Sequence, residues 1–201
     1  MISDLAATLL AGPAGGALRS RYDEPWRRYH DWSHVEALLR ALDAAGRDGV
    51  TLVDPLAAVG FVLWHDAIYD PQAAAGRNEE LSAALCEAEF TAPSETLARA
   101  ATAIRATIDH RVPAGDCPDA ALLLDVDLSV LGGDEAAFAH YDAGIAFEYA
   151  HVPAAAYRLG RAGVLRRFLT RERLFLTDWA HRRWDAAARR NLGRALAALE
   201  G

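Results

Sequence analysis

Apolar residues recur along this chain at three- and four-residue spacings almost throughout, and stretches with the two-residue alternation of a half-buried strand are few. Ser33 followed by Glu36 predicts a capping box and a helix whose stripe is Val35, Leu38, Leu39 and Leu42, closed by Gly46. Asp54-Pro55 predicts an N-cap with proline at the first helical position, opening a buried helix that runs through "FVLWHDAIYD" to near Tyr69 and Pro71. Asn78 is placed to cap "EELSAALCEAEF", and Ser94 to cap "ETLARAATAIRATIDH". Pro118 starts "DAALLLDVDLSVL", which stops at Gly132-Gly133, and Asp134 opens "EAAFAHYDAGIAFEYAH". Two Ala-, Leu- and Arg-rich helical patterns follow, over residues 153–170 and 178–199, and a short helix precedes the break at Gly12-Pro13. Loops are short, with no repeat and no linker composition. The expectation is one all-α domain over residues 1–201, with a motif-bearing core at about 27–150 and helices 153–200 packed on it.

Composition narrows the chemistry. Apolar residues make up 52% of the 201 residues, enough for a substantial core, and the net charge of −7 argues against broad nucleic-acid or anionic-membrane binding. All 21 basic residues are Arg, so a lysine Schiff base, a P-loop lysine and a Ser-Lys dyad are excluded. Cys86 and Cys117 read as two free thiols in a reducing compartment. No stretch approaches the ~18 apolar residues of a membrane span, and the N-terminus lacks a basic n-region, so a cytoplasmic protein is expected. The pattern does not set an oligomeric state.

The candidate chemistry lies where carboxylates interrupt apolar helices. His65 and Asp66 follow Phe61, Val62, Leu63 and Trp64, and an unpaired buried carboxylate costs several kcal/mol. Either an arginine pairs with Asp66 while His65 is a buried hydrogen-bonder, or a divalent metal neutralises Asp66 and takes His65 as a nitrogen ligand. "LLLDVDLSVLG" repeats the theme with Asp125 and Asp127, which ~200° of helical rotation separates. Asp127 is the better inward candidate and Asp125 the better partner for an arginine. His34 lies in the first turn of its helix and looks toward the core, whereas the His30-Asp31 pair follows no apolar run and Asp31 suits a helix start. Two helices each burying a carboxylate favour the metal.

The order of a lone His, then His-Asp, then a distant Asp resembles that of the HD superfamily of metal-dependent phosphohydrolases. "RRYHDWSH", "WHDAIYD", "RNEELSA", "ATIDH", "DVDLSVLG", "EYAHV" and "GRAGVLRRFL" are similar to the motif series of a bacterial branch of predicted HD-domain hydrolases, from about Arg27 to Phe175. The resemblance implies an HD-type helical bundle with metal ligands His34, His65, Asp66 and Asp127, His30 being the alternative to His34. Asp70, four residues after Asp66, or Glu79 would then orient the attacking water. His110 and Arg161 are candidate substrate contacts, and Arg166, Arg167, Arg171 and Arg173 form a basic run that suits either an anion or a solvated helix face. Nitrogen ligands favour Mn, Fe, Co, Ni or Zn over Mg. The implied reaction is hydrolysis of a phosphoester or phosphoanhydride in a small phosphorylated metabolite or nucleotide. The alternatives are an HD-type di-iron oxygenase, for which His110 is the one histidine between the His-Asp pair and Asp127, and a non-catalytic nucleotide-binding protein.

Overall fold

A helix that is apolar on every side is stable only when enclosed, and the stretch Ala57–Trp64 is buried at every residue. In the computed structural model, which describes residues 1–201 other than the side chains of residues 13 and 14, this stretch is the hub of an all-helical fold with no strand among the described residues. The helices are α1 (Ile2–Leu10), α2 (Pro13–Tyr22), α3 (Trp32–Arg47), α4 (Pro55–Trp64), α5 (Arg77–Glu89), α6 (Ser94–Ala106) and α7 (Ala120–Asp127). A 3₁₀ turn (Leu128–Gly132) then leads to α8 (Glu135–Glu148), α9 (Ala154–Leu169) and α10 (Asp178–Glu200). Helices α1, α3, α5, α6 and α7 surround α4. Burying side chains such as Phe61 and Leu63 there is worth roughly 1.5–3 kcal/mol each. A second core is built from Leu131, Phe138, Ile145, Leu165, Phe175 and Leu192, to which α8, α9 and α10 contribute.

The local signals at helix starts are partly redistributed. Asp54 caps α4 and Asp134 caps α8 as the pattern predicts, accepting from Ala57 N at 3.0 Å and Ala137 N at 2.8 Å. For α3 the cap is Asp31, which accepts from Ser33 N at 2.8 Å, so the Ser33–Glu36 box does not form. Asn78 does not cap α5, which follows Gly76 in the left-handed region. Its amide instead clasps the backbone of Asp70, accepting at 3.1 Å and donating at 2.9 Å. Asp125 takes no arginine; it accepts from Leu176 N, Thr177 N and Thr177 Oγ1 at 2.6–2.7 Å and thereby anchors the start of α10.

The main correction concerns α4, which ends at Trp64 and not near Tyr69. Carbonyls at this helix end and in the turn after it take side-chain donors. Tyr22 Oη donates to Leu63 O at 2.9 Å, and the buried Arg27 donates to Asp66 O at 2.7 Å and Ala67 O at 3.3 Å. The same guanidinium donates to His30 O at 2.9 Å and pairs with Glu24 at 2.9 Å. Arg27 thus ties the segment before α3 to the turn after α4. On the far side of that segment, Gly144 of α8 approaches so closely that a Cβ would lie 3.0 Å from Tyr29 Cβ and 3.3 Å from the Arg28 carbonyl carbon.

Replacing Arg27 by Met leaves three buried carbonyls short of a donor, and urea unfolding followed by circular dichroism is expected to show a loss of roughly 3–5 kcal/mol. Glu24→Gln removes only the partly exposed partner and is expected to cost about 1 kcal/mol or less.

Candidate metal centre

The ends of three helices meet at one point. His34 comes from the first turn of α3, His65 caps the C-terminus of α4 with Asp66 next to it, and Asp127 is the last residue of α7. His34 Nε2 lies 3.0 Å from Asp127 Oδ1 and 3.7 Å from Asp66 Oδ2, and His65 Nε2 lies 3.0 Å from Asp66 Oδ2 and 3.6 Å from Asp127 Oδ1. Ligand atoms of His34, His65 and Asp127 fall within 4.8 Å of one another, a group that could hold a metal ion, with Asp66 beside it.

The tautomer of His65 supports that fit. Its Nδ1 faces the carbonyl of Val62 at 3.1 Å, which requires the ring proton on Nδ1 and leaves Nε2 with its lone pair. Nε2 is buried and has no hydrogen-bond partner, because the nearby Asp66 oxygen lies off the ring's bonding direction. Burial opposes a charge on this imidazole, but Asp66 and Asp127 outweigh it and push His65 up to about 9. Carboxylates that draw a proton to that nitrogen also draw a cation. Asp66 and Asp127 are in turn held low: burial works against both, but His65 and His30 favour the Asp66 carboxylate and hydrogen bonds from His110 and His34 favour that of Asp127. Among the described residues no arginine side chain pairs with Asp66; Arg27 touches only its backbone carbonyl.

A further layer of residues fixes this cluster. His110 sits in the left-handed region, φ 51°, and its Nε2 lies 2.9 Å from Asp127 Oδ2, the oxygen turned away from His34 and His65. Arg171 holds that turn by donating to Asp109 O at 2.5 Å and His110 O at 3.3 Å. His30 is separate from the ligand group: its Nδ1 lies 2.7 Å from Glu148 Oε2, and its ring stacks on Tyr69 at 4.1 Å. Glu148, buried at the end of α8, also accepts from Tyr69 Oη at 2.9 Å and, through Oε1, from the backbone N–H groups of Arg28, Tyr29 and His30 at 2.8–3.0 Å. Burial opposes its charge, but His30 and these N–H groups bring the carboxyl down to about 2. The sequence reading passed over Glu148. The available signal was a carboxylate in the aromatic run "FEYA", the same kind of interruption that singled out Asp127.

Of the other candidates, Asp70 does not reach the site. It is exposed in a turn, accepting from Gln72 N at 2.8 Å, because the four-residue spacing from Asp66 presumed a helix that has already ended. Glu79 does line the cavity beside Asp66. Arg161 lines it too, but is buried and committed to Asp142 at 2.8 Å and Tyr141 Oη at 3.1 Å. Through Asp66 and Asp127 the cluster borders a cleft of two lobes, about 820 and 540 Å³, which share His30, His110 and Asp127 among their walls. Comparison of the chain with protein-family models, curated proteins and solved structures gives no match in any of the three.

Two outcomes follow from this geometry. Elemental analysis of protein purified without chelator is expected to give about one transition-metal ion per chain, lost in His65→Ala and Asp127→Ala, and metal affinity is expected to fall by about tenfold per pH unit for each proton displaced as pH drops below about 9. For Glu148, whose folded carboxyl lies below its unfolded value, the stabilisation is complete above the ordinary glutamate range and vanishes as pH falls toward about 2. Glu148→Gln is therefore expected to lose roughly 2–4 kcal/mol at neutral pH and to flatten the decline of melting temperature between those limits, as read by calorimetry.

Proposed function

We propose that this protein is a metal-dependent phosphohydrolase acting on a small phosphorylated metabolite or nucleotide. The observation that carries the reading is the buried Nε2 of His65, without a hydrogen-bond partner and directed among His34, Asp66 and Asp127, the two carboxylates of which line the adjoining cleft. The order of those four residues along the chain is also the one in which the sequence resembles the HD superfamily. Two imidazoles and two carboxylates suit Mn, Fe, Co, Ni or Zn better than Mg. When bound, such a cation supplies Lewis acidity toward a phosphoryl oxygen and lowers the pKa of a coordinated water.

The remaining chemistry falls to the chain's own groups. Glu148 fixes His30 through Nδ1, which turns the other ring nitrogen away from Glu148, and His30 lies on the wall of both lobes. The role assigned to it is to donate a proton to the leaving oxygen. Burial disfavours its protonated form, but Asp66 and Glu148 outweigh that and raise it above the usual histidine range. Glu79, the cavity-lining one of the two acidic candidates, is assigned the orientation of the attacking water. His110, on the far oxygen of Asp127, orients that carboxylate and meets the substrate. Arg161, neutralised by Asp142, serves as a fixed wall of the smaller lobe.

The test is turnover by metal-loaded protein on a panel of phosphomonoesters and organic diphosphates. Release of phosphate is expected, falling by about a hundredfold or more in Asp127→Ala. In His30→Gln it is expected to fall tenfold or more in kcat, with metal content unchanged. Loaded protein that is inert toward the whole panel would overturn the reading.

A further inference from the structure

The two lobes of the cleft differ in chemistry. The larger alone carries Arg111, Arg167 and Arg171, with Asp109 beside them; the smaller alone carries Val152, Ala156 and Tyr157, with Asp66, Asn78, Glu79 and Arg161 toward the cluster, and Tyr149 and Val164 line both. Helix α9 spans both, presenting Tyr157 and Val164 to one and Val164, Arg167 and Phe168 to the other. The three guanidiniums are poorly matched by acid. Arg111 has only Asp109, at 3.9 Å, and Arg171 donates to backbone carbonyls and lies over the Phe168 ring at 4.9 Å. Among the described residues Arg167 forms no ion pair. Burial and the neighbouring charges of Arg111 and Arg167 all oppose the charge on Arg171. In a chain of net charge −7, unmatched positive charge gathered in one half of a cleft is an anion site.

We infer that the substrate is an organic phosphoanhydride, cleaved with its organic group against Val152, Ala156 and Tyr157 of the smaller lobe and its terminal phosphate among Arg111, Arg167 and Arg171. This rests on the hydrolase reading above and extends it to a substrate class. The lobes meet at His30, His110 and Asp127, so a phosphorus reacting there has one neighbour on each side. A phosphomonoester offers an organic group for one lobe and nothing for the other. A diphosphate offers both. The reaction is then attack of water oxygen on the inner phosphorus and cleavage of its bond to the bridging oxygen. The bond's electron pair leaves with the outer phosphate, giving an organic monophosphate, hydrogen phosphate and one proton. No oxidant, reductant or second substrate is needed.

The test uses metal-loaded protein and the double variant Arg111→Gln/Arg167→Gln; Arg171 is left intact because it holds the His110 turn. Calorimetric titration with inorganic phosphate and pyrophosphate, metal content being checked afterwards, is expected to show pyrophosphate binding at least about tenfold tighter to the parent. That gap should close in the variant, and the ratio of kcat/KM for organic diphosphates over monophosphates should fall by a similar factor. An equal gap in parent and variant would mean that metal chelation alone distinguishes the two anions, and the inference would be wrong. It would also be wrong if the parent shows no gap or prefers monophosphates. If the gap closes in the variant while no phosphate compound is turned over, the arginine lobe stands as an anion site and the hydrolase reading, with the cleavage inferred from it, falls.

Discussion

The arrangement depends on one buried guanidinium. Arg27 collects the carbonyls of His30, Asp66 and Ala67, so it stands between two segments that each contribute to the site and holds both at fixed distance. A lysine could not do this, since a single ammonium lacks the planar fork that reaches carbonyls from two directions. The interruption of α4 has the same origin. A helix continued to Tyr69 would pair the Leu63 carbonyl internally; stopping at Trp64 hands it to Tyr22, leaves the Asp66 and Ala67 carbonyls beyond the helix to Arg27, and turns Asp66 toward His34 and His65.

Charge is concentrated around that point in a way that favours a ligand over stability. Two carboxylates face three imidazoles at the ends of three helices and the turn after α6, in surroundings that burial makes unfavourable for any net charge. Proteins that bury polar groups for structure alone satisfy each atom. Here Glu148 shows that pattern, with all of its contacts made, whereas His65 Nε2 does not. The fully bonded carboxylate belongs to the scaffold and the unpartnered imidazole nitrogen to the site.

The helices and the cluster were legible for different reasons. Apolar periodicity located α3 and α8 to α10 closely, because a stripe facing a core must repeat at the helical spacing whatever its neighbours are. His65, Asp66 and Asp127 stood out because a carboxylate in an apolar run needs compensation. What failed was whatever depends on a distant partner. Asp125 looks like a salt-bridge residue until the backbone of Leu176 and Thr177 is seen to arrive beside it. Asn78 looks like a cap until the loop at Asp70 folds back against it. Asp70 was misplaced through a helix end decided by Tyr22 and Arg27, more than thirty residues away in sequence.

The division between the two cores runs through the site. The four cluster residues His34, His65, Asp66 and Asp127 all belong to helices around the first core, whereas Glu148, Arg167 and Arg171 come from the elements that build the second. The C-terminal part also reaches the cluster indirectly, since Arg171 holds the turn from which His110 meets Asp127. The residues that could hold a metal ion and the residues that orient His30 and wall the larger lobe thus come from different halves of the fold.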